Sequence, residues 1–272
     1  MGECRRGGRG QSAGSLKFTL LGTGTSQGVP VLGCSCSVCR SEDPRDKRLR
    51  TAALVTVDAS HLAIDCGPDF RQQMLRAGIG DLDAILLTHS HNDHIIGLDD
   101  IRPFNFRSGL PMAIYGQAGV LDELPRRFPY AFETANRYPG VPSLRTHPIY
   151  DHEPLFWKDR PIYPIAVKHG ELPVLGFRFG NLAYVTDVNF IPESSMSLLE
   201  DLDFFILGVL QPEPHHAHYH LEQGLEVIAR LRPRQSFLVH CNHRMGLTAE
   251  TNLRLPSGVA LAFDGQYLDV NW

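Results

Sequence analysis

Four short apolar runs in this chain each finish on an acid or an imidazole. Leu62-Ala-Ile-Asp65, Ala84-Ile-Leu-Leu-Thr-His89, Ala183-Tyr-Val-Thr-Asp187 and Ser236-Phe-Leu-Val-His240 share that form. A strand covered on one face alternates apolar and polar residues, whereas one buried on both faces reads as a continuous apolar run. Each run therefore predicts a buried strand whose last residue emerges at one edge of a sheet. Open α/β sheets bind ligands at the carboxyl ends of their strands, so these polar termini are expected to converge. Residues 17–21 and 52–57 predict further strands, the first opening into Phe18-Thr-Leu-Leu-Gly-Thr-Gly-Thr25. Helical patterns occupy residues 68–77, 121–127 and 221–231, the last with Leu221, Leu225, Ile228 and Ala229 along one face. The Pro-rich stretch 125–164 is expected to be irregular, forming a lid or a dimer surface. No internal repeat stands out, although two stacked sheets built from similar halves would leave only a faint one. The chain reads as an N-terminal arm, 1–15, followed by one α/β domain, 16–272.

Chemistry concentrates in Thr88-His-Ser-His-Asn-Asp-His94, directly after an apolar run. His89, His91, Asp93 and His94 stand at i, i+2, i+4 and i+5. Divalent transition metals favour neutral imidazole nitrogen and carboxylate oxygen. Four such groups exceed what one closed site needs if it also draws distant ligands; a loop folded around two adjacent metals uses them all. The distant candidates are His169 in Val167-Lys-His-Gly170, Asp187 and His240.

A second cluster lies in Cys34-Ser-Cys-Ser-Val-Cys39, which holds three of the six cysteines. In a reducing compartment such crowding points to metal before disulfides. Tetrahedral structural zinc wants a fourth ligand beside Cys34, Cys36 and Cys39. His243 in His240-Cys-Asn-His243 offers one, with Cys241 its competitor. Cys66 reads as a small buried apolar residue, and Cys4 as a free thiol in the arm.

Several functions are disfavoured. No apolar stretch approaches the length that spans a bilayer. The arm is Gly/Arg/Ser-rich without a hydrophobic segment, so neither a signal peptide nor a twin-arginine signal at Arg5-Arg6 is expected. Gly2 lacks the Ser or Thr at position 6 that myristoylation wants. The expected location is the cytoplasm. A net charge of −4 gives no electrostatic attraction to nucleic acid or anionic membrane. The turn Gly22-Thr-Gly-Thr-Ser26 has neither the Gly-x-Gly-x-x-Gly spacing nor a Walker lysine, so it is not read as a nucleotide cradle.

The order Asp65, His-x-His-x-Asp-His, His169, Asp187, His240 resembles the metallo-β-lactamase fold superfamily, a four-layer αββα sandwich, over residues 17–270. The resemblance implies that His89, His91 and His169 hold one metal, that Asp93, His94 and His240 hold a second, and that Asp187 bridges them. Asp65 would orient the ligand loop. The Cys34, Cys36, Cys39 and His243 set is similar to that of the PhnP-like phosphodiesterases, which act on a ribosyl cyclic phosphate. That likeness implies a structural zinc there. It also implies a general-acid histidine shortly before the helix at Leu221: His218 in Pro214-His-His-Ala-His-Tyr-His220, with His220 as its rival. His215 and His216 are then supporting or solvated residues. In Gly97-Leu-Asp-Asp-Ile-Arg102, Asp99 or Asp100 are candidates to buttress the metal histidines and Arg102 to touch a phosphate.

What the resemblance implies is a metal-dependent hydrolase of small, cyclic phosphodiesters. It would use a hydroxide bridging two zinc or manganese ions and His218 as proton donor. A homodimer would be in keeping with its relatives, and neither a membrane nor a nucleic-acid partner is expected. Three other readings stay open. A tRNA 3′-processing endonuclease would have a similar site but a long basic arm, and no Lys-rich Gly arm lies between Gly97 and His169. A mono-iron thiol oxygenase would leave part of the cluster empty. A non-catalytic scaffold would be expected to have lost ligands that are intact here.

Overall fold

The apolar runs form strands in a computed structural model that describes residues 15–132, 139–151 and 153–272. In chain order these are β1 (Ser15–Gly22), β2 (Ala52–Val57), β3 (Ser60–Ile64), β4 (Ala84–Leu86), β5 (Met112–Gly116), β6 (Leu144–Pro148), β7 (Leu155–Trp157), β8 (Arg160–His169), β9 (Leu172–Phe179), β10 (Leu182–Val185), β11 (Phe204–Gly208), β12 (Gln235–Val239), β13 (Val259–Leu261) and β14 (Tyr267–Asn271). They build two seven-stranded sheets, ordered β14-β1-β2-β3-β4-β5-β6 and β13-β12-β11-β10-β9-β8-β7.

The two sheets repeat one plan. In the first, β1, β2 and β3 pair antiparallel and β3 to β6 run parallel. In the second, β7 to β10 pair antiparallel and β10 to β13 run parallel. β14 closes the first sheet by returning antiparallel to β1. The faint repeat expected from stacked halves is thus present in topology.

Burial explains the unbroken apolar runs. Along β10, Leu182 and Tyr184 face the other sheet, and Ala183 and Val185 face the outer helices. β3 and β4 divide likewise, with Ile64 and Leu86 inward and Ala63 and Ile85 outward. Between the sheets, the Phe18 and Phe179 rings meet edge-on at 5.8 Å. Outside the first sheet, the helices Phe70–Ala77 and Ala118–Arg127 bury Phe70, Met74 and Leu124. Outside the second, the helix Leu221–Leu231 buries Ile228. Three apolar layers separate four structural ones, which is the αββα sandwich.

Two expectations need correction. Of the expected arm 1–15, residues 1–14, with Cys4, lie outside the described residues, and Ser15 belongs to the first sheet, where it pairs with Asn271. Nor is the described part of the stretch 125–164 irregular throughout. It completes the helix Ala118–Arg127, adds the short helix Pro129–Phe132, and supplies β6, β7 and the start of β8; residues 133–138 and 152 lie outside the described set. Its prolines mislead because edge positions accept them. β6 is an edge strand, and β8 beyond Ile162 has β9 as its only partner strand. No helix among the described residues is long and apolar enough to cross a membrane.

Candidate metal centre

Asp65, Asp187 and His240 follow β3, β10 and β12, and all three have left-handed backbones, with φ of 66°, 46° and 58°. Non-glycine residues rarely hold this conformation, and such strain gathers at functional sites. Here it turns the chain sharply at the sheet edge and leaves a polar side chain there. Asp65 and Asp187 also occupy matching places in the two halves, just past the strand where antiparallel pairing gives way to parallel.

The ligand loop after β4 is held against the turn after β3. The Cys66 N–H donates to the His94 carbonyl at 2.7 Å, and the Gly97 N–H to the Cys66 carbonyl at 2.9 Å. The backbones approach so closely that a Cβ on Gly67 would lie 2.0 Å from the Asp93 carbonyl oxygen.

The seven expected ligands meet around Asp187. His89 Nε2 lies 3.9 Å and His240 Nε2 3.1 Å from Asp187 Oδ2, and His94 Nε2 lies 3.4 Å from Oδ1. Asp93 Oδ2 is 3.3 Å from His94 Nε2. The His91 ring stands 4.6 Å from His89 and 5.2 Å from His169. Asp93, His94, Asp187 and His240 bring one ligand atom each within 4.8 Å of one another.

The donor set fits divalent cations. His89, His94 and His240 are buried, and their Nε2 atoms make no hydrogen bond. Leaving such atoms unsatisfied is costly unless something else binds them. The opposite nitrogens of His89, His94 and His169 are tied, whereas His240 Nδ1 makes no hydrogen bond among the described residues. His94 Nδ1–H donates to Asp65 Oδ2 at 2.6 Å, His89 Nδ1 meets the Thr88 hydroxyl at 2.9 Å, and His169 Nδ1–H donates to the Ala217 carbonyl at 2.6 Å. Partners of this kind fix tautomer and ring direction in metal-binding histidines. Asp65 also accepts from the Thr88 N–H at 2.9 Å and from its hydroxyl, so one buried carboxylate steadies two ligands.

Titration behaviour follows the packing. Burial, with the neighbouring His94 charge, holds His89 well below the ordinary imidazole range, and burial with His169 lowers His91. Burial acts the same way on His94, but Asp187 and Asp65 outweigh it and raise its pKa well above normal. Burial would raise Asp187, yet His240 and His94 keep it well below the usual carboxylate range.

The cysteine cluster closes as expected around His243. Its Nδ1 lies 3.2, 3.5 and 3.4 Å from the sulfurs of Cys34, Cys36 and Cys39. A tetrahedral zinc with Zn–S of about 2.3 Å and Zn–N of about 2.0 Å needs edges of about 3.5 Å. Cys241 lies away from this cluster. It follows β12 into the outer core of the second sheet, and burial pushes its thiol up to about 11. The Cys39 N–H bond to Cys36 Sγ leads the lowering of Cys36 to about 6, while burial pushes Cys39 up to about 11.

The histidine-rich segment separates cleanly. The His218 ring stacks 4.7 Å from His240 and sits 4.3 Å from His169, and its ligand atom lies within 4.8 Å of those of His169 and Asp187. Burial first, then His240, presses its pKa down to about 2. His220 instead caps the helix Leu221–Leu231, its Nδ1 2.7 Å from Gln223 Oε1. His215 lies beside both His216 and His218, at 4.4 and 5.2 Å between rings. Asp99 pairs with Arg102 at 2.5 Å and accepts from the Tyr130 hydroxyl at 2.9 Å, which corrects its expected contact with the metal histidines. Asp100 and Arg102 line a different cavity with Phe70 and Phe104, so Arg102 is not in the metal centre. Two contributors went unnoticed in the sequence. Thr88, directly before the cluster, could have been read as a hydroxyl partner; the Ala217 carbonyl carries no side-chain signal at all.

A family model described as a β-lactamase superfamily domain matches residues 61–241. Over 252 residues the chain is 40% identical to a Porphyromonas gingivalis protein named octanoyltransferase, covering 92% of this chain and 51% of that one. Over 95 residues it is 40% identical to a ribonuclease Z of Bradyrhizobium diazoefficiens, covering 34% of this chain and 30% of the other. The chain thus spans about half, or less, of the length of these curated relatives. A solved structure described as a new diphosphatase from the PhnP family superposes with a TM-score of 0.88 at 38% identity, over 94% of this chain and 97% of that one. Since that likeness runs through nearly the whole of both chains, the protein belongs to the PhnP family of the β-lactamase superfamily.

Proposed function

We propose that the protein hydrolyses small phosphodiesters, cyclic ones among them, with His218 as general acid. His89, His91 and His169 would hold one divalent cation and Asp93, His94 and His240 a second, with Asp187 shared. Zinc or manganese there would supply a water activated at neutral pH and offset charge growing on the phosphoryl oxygens. A third ion, a structural zinc on Cys34, Cys36, Cys39 and His243, would pin the N-terminal loop beside the turn that carries His240. Cytoplasmic placement, where these thiols stay reduced, belongs to the same reading.

The position of His218 carries the proposal. Its ring lies against His169 and His240, one from each ligand set, while its rival His220 is committed to a helix cap. Without substrate, burial keeps His218 neutral. A phosphodiester anion beside it favours the protonated ring, which can then donate to a departing alkoxide. Such assistance is typically worth about 10²–10⁴ in rate.

His218→Ala should retain its metals yet slow alkyl diesters by roughly that factor. Nitrophenyl diesters, whose leaving group needs no proton, should slow far less. Equal slowing of both would remove His218 from the acid role. Loss of metal would instead make it a ligand, which its closeness to His169 and Asp187 allows.

The PhnP-family diphosphatase supports a second reading, cleavage of a P–O–P linkage. A leaving phosphate needs little protonation, so the same variant would barely affect it. A panel of cyclic diesters, linear diesters, diphosphates and tRNA, turned over by metal-quantified protein, separates these readings from ribonuclease Z-like cleavage.

A further inference from the structure

His218 and His240 stack on each other, yet neither ring is tied by a hydrogen bond. Their centroids lie 4.7 Å apart, with the planes inclined by 22°. Neither nitrogen of His240 makes a hydrogen bond, and His218 makes none among the described residues. His89, His94 and His169 differ, each being anchored through Nδ1. The place of the His218 ring is therefore set by ring packing and by the loop that carries it.

That loop and the turn of His240 meet at Gln211 and Asn242. Residues 209–220 run from β11 to the helix Leu221–Leu231 and carry His218. Backbone bonds draw the loop closed at its foot. The Leu210 N–H donates to the Tyr219 carbonyl at 3.0 Å, and the Leu221 N–H to the Gln211 carbonyl at 2.9 Å. Asn242, two residues past His240, grips that foot twice. Its N–H donates to the Leu210 carbonyl at 2.9 Å, and its Nδ2–H to Gln211 Oε1 at 2.7 Å. Second partners fix which way both amides face. Asn242 Oδ1 accepts from the Arg244 N–H at 2.8 Å, which turns its Nδ2 toward Gln211. Gln211 Nε2–H donates to the Glu213 carbonyl at 3.2 Å, which leaves Oε1 as the acceptor. Gln211 is buried, and a polar group out of water is costly to leave unpaired.

We infer that Gln211 and Asn242 are positioning residues for His218: their hydrogen bond locks the loop of the proposed acid to the turn of His240. The inference rests on the reading of His218 as proton donor. Donation to a departing oxygen needs the ring nitrogen within hydrogen-bond reach, and a displacement of about 1 Å can cost about 10²-fold. Attack on phosphorus does not use this ring, so only a step that needs its proton should feel the loop loosen. The backbone bond from Asn242 to Leu210 survives loss of the amide pair. The loop then stays folded while the aim of His218 degrades.

The test is Asn242→Ser and Gln211→Met, singly and together, in the full-length, metal-quantified protein. Serine can still accept from the Arg244 N–H but is too short to reach Gln211. Methionine keeps the unbranched shape of glutamine without its amide. Metal content should match the wild type. On alkyl diesters kcat should fall about ten- to a hundredfold with KM unchanged, and on nitrophenyl diesters by less than about threefold. The double variant should be no slower than the slower single one, because both changes remove the same bond. In the zinc-loaded proteins, the His218 ring-proton resonances, displaced by the stacked His240 ring, should shift in each variant. Either single variant is sufficient where the other fails to fold. No slowing, equal slowing of both diesters, loss of metal, additive losses in the double variant or unmoved His218 resonances overturns the inference. A His218→Ala variant that itself slows both diesters equally sinks the acid reading, and the inference with it.

Discussion

His94 is the residue at which metal, proton and scaffold meet. Its Nδ1–H is held by Asp65, and its Nε2 faces Asp187 and Asp93 at 3.4 and 3.3 Å. Because Asp187 and Asp65 raise its pKa well above the ordinary imidazole range despite burial, the ring favours a proton while no cation is bound. A cation entering the site of Asp93, His94 and His240 must displace that proton. Affinity there should therefore rise with pH through neutrality and weaken as pH falls. Burial lowers the pKa of His89 and His91 instead, which disfavours a proton on either ring. Calorimetric titration in buffers of different ionisation enthalpy should report about one proton released when a cation takes the place bounded by Asp93, His94 and His240. Asp65→Asn should lessen that release and weaken the metal about 10–100-fold. Proton release unchanged in Asp65→Asn would show that Asp65 does not set the charge of His94.

At the scale of elements, the site depends on loops pressed together without intervening side chains. Gly67→Ala would drive a Cβ into the Asp93 carbonyl, and both are backbone, so neither can rotate away. A cost of about 1–3 kcal/mol is expected, lowering the melting temperature by about 2–12 °C and loosening metal binding. Gly119, exposed in the helix Ala118–Arg127 with open space around it, is the control. Gly119→Ala should be neutral or stabilise by about 0.4–1 kcal/mol. Thermal melts of the two variants, with metal content measured alongside, check the pair. Element identity was readable wherever burial on two faces made a continuous run, as in β3, β4, β10 and β12. It was obscure in β8 and β9, where Pro161, Pro164, Pro173 and Gly176 read as breaks. Gly176 instead marks a close approach, since a Cβ there would lie 2.8 Å from the Tyr184 carbonyl.

In the whole molecule, two sheets of one plan face each other and bring matching edges to a common centre. Tyr184 lies in the core between them, fully buried, and its hydroxyl makes no hydrogen bond among the described residues. Desolvating such a group without a partner is unfavourable, so Tyr184→Phe should stabilise the fold by about 1–3 kcal/mol in chemical denaturation. A clear loss of stability would mean that the hydroxyl is satisfied after all. The stacking also explains why distant ligands could be named but not joined from the sequence. His89 and His240 are separated by most of a domain along the chain and meet only because both sheets end at one edge.

The sequence by itself determined the strands buried on two faces, Asp187 with the six residues around it and the three cysteines, because burial and ligand chemistry leave marks in residue type and spacing; the sandwich class was implied by the family their order resembles. Tertiary structure alone decided between neighbours of the same type. His218 reaches the centre and His220 caps a helix, and His243 closes the cysteine cluster while Cys241 turns into the core. Those choices depend on where a turn points a side chain in space, and residues a step or two apart leave a sheet edge in different directions.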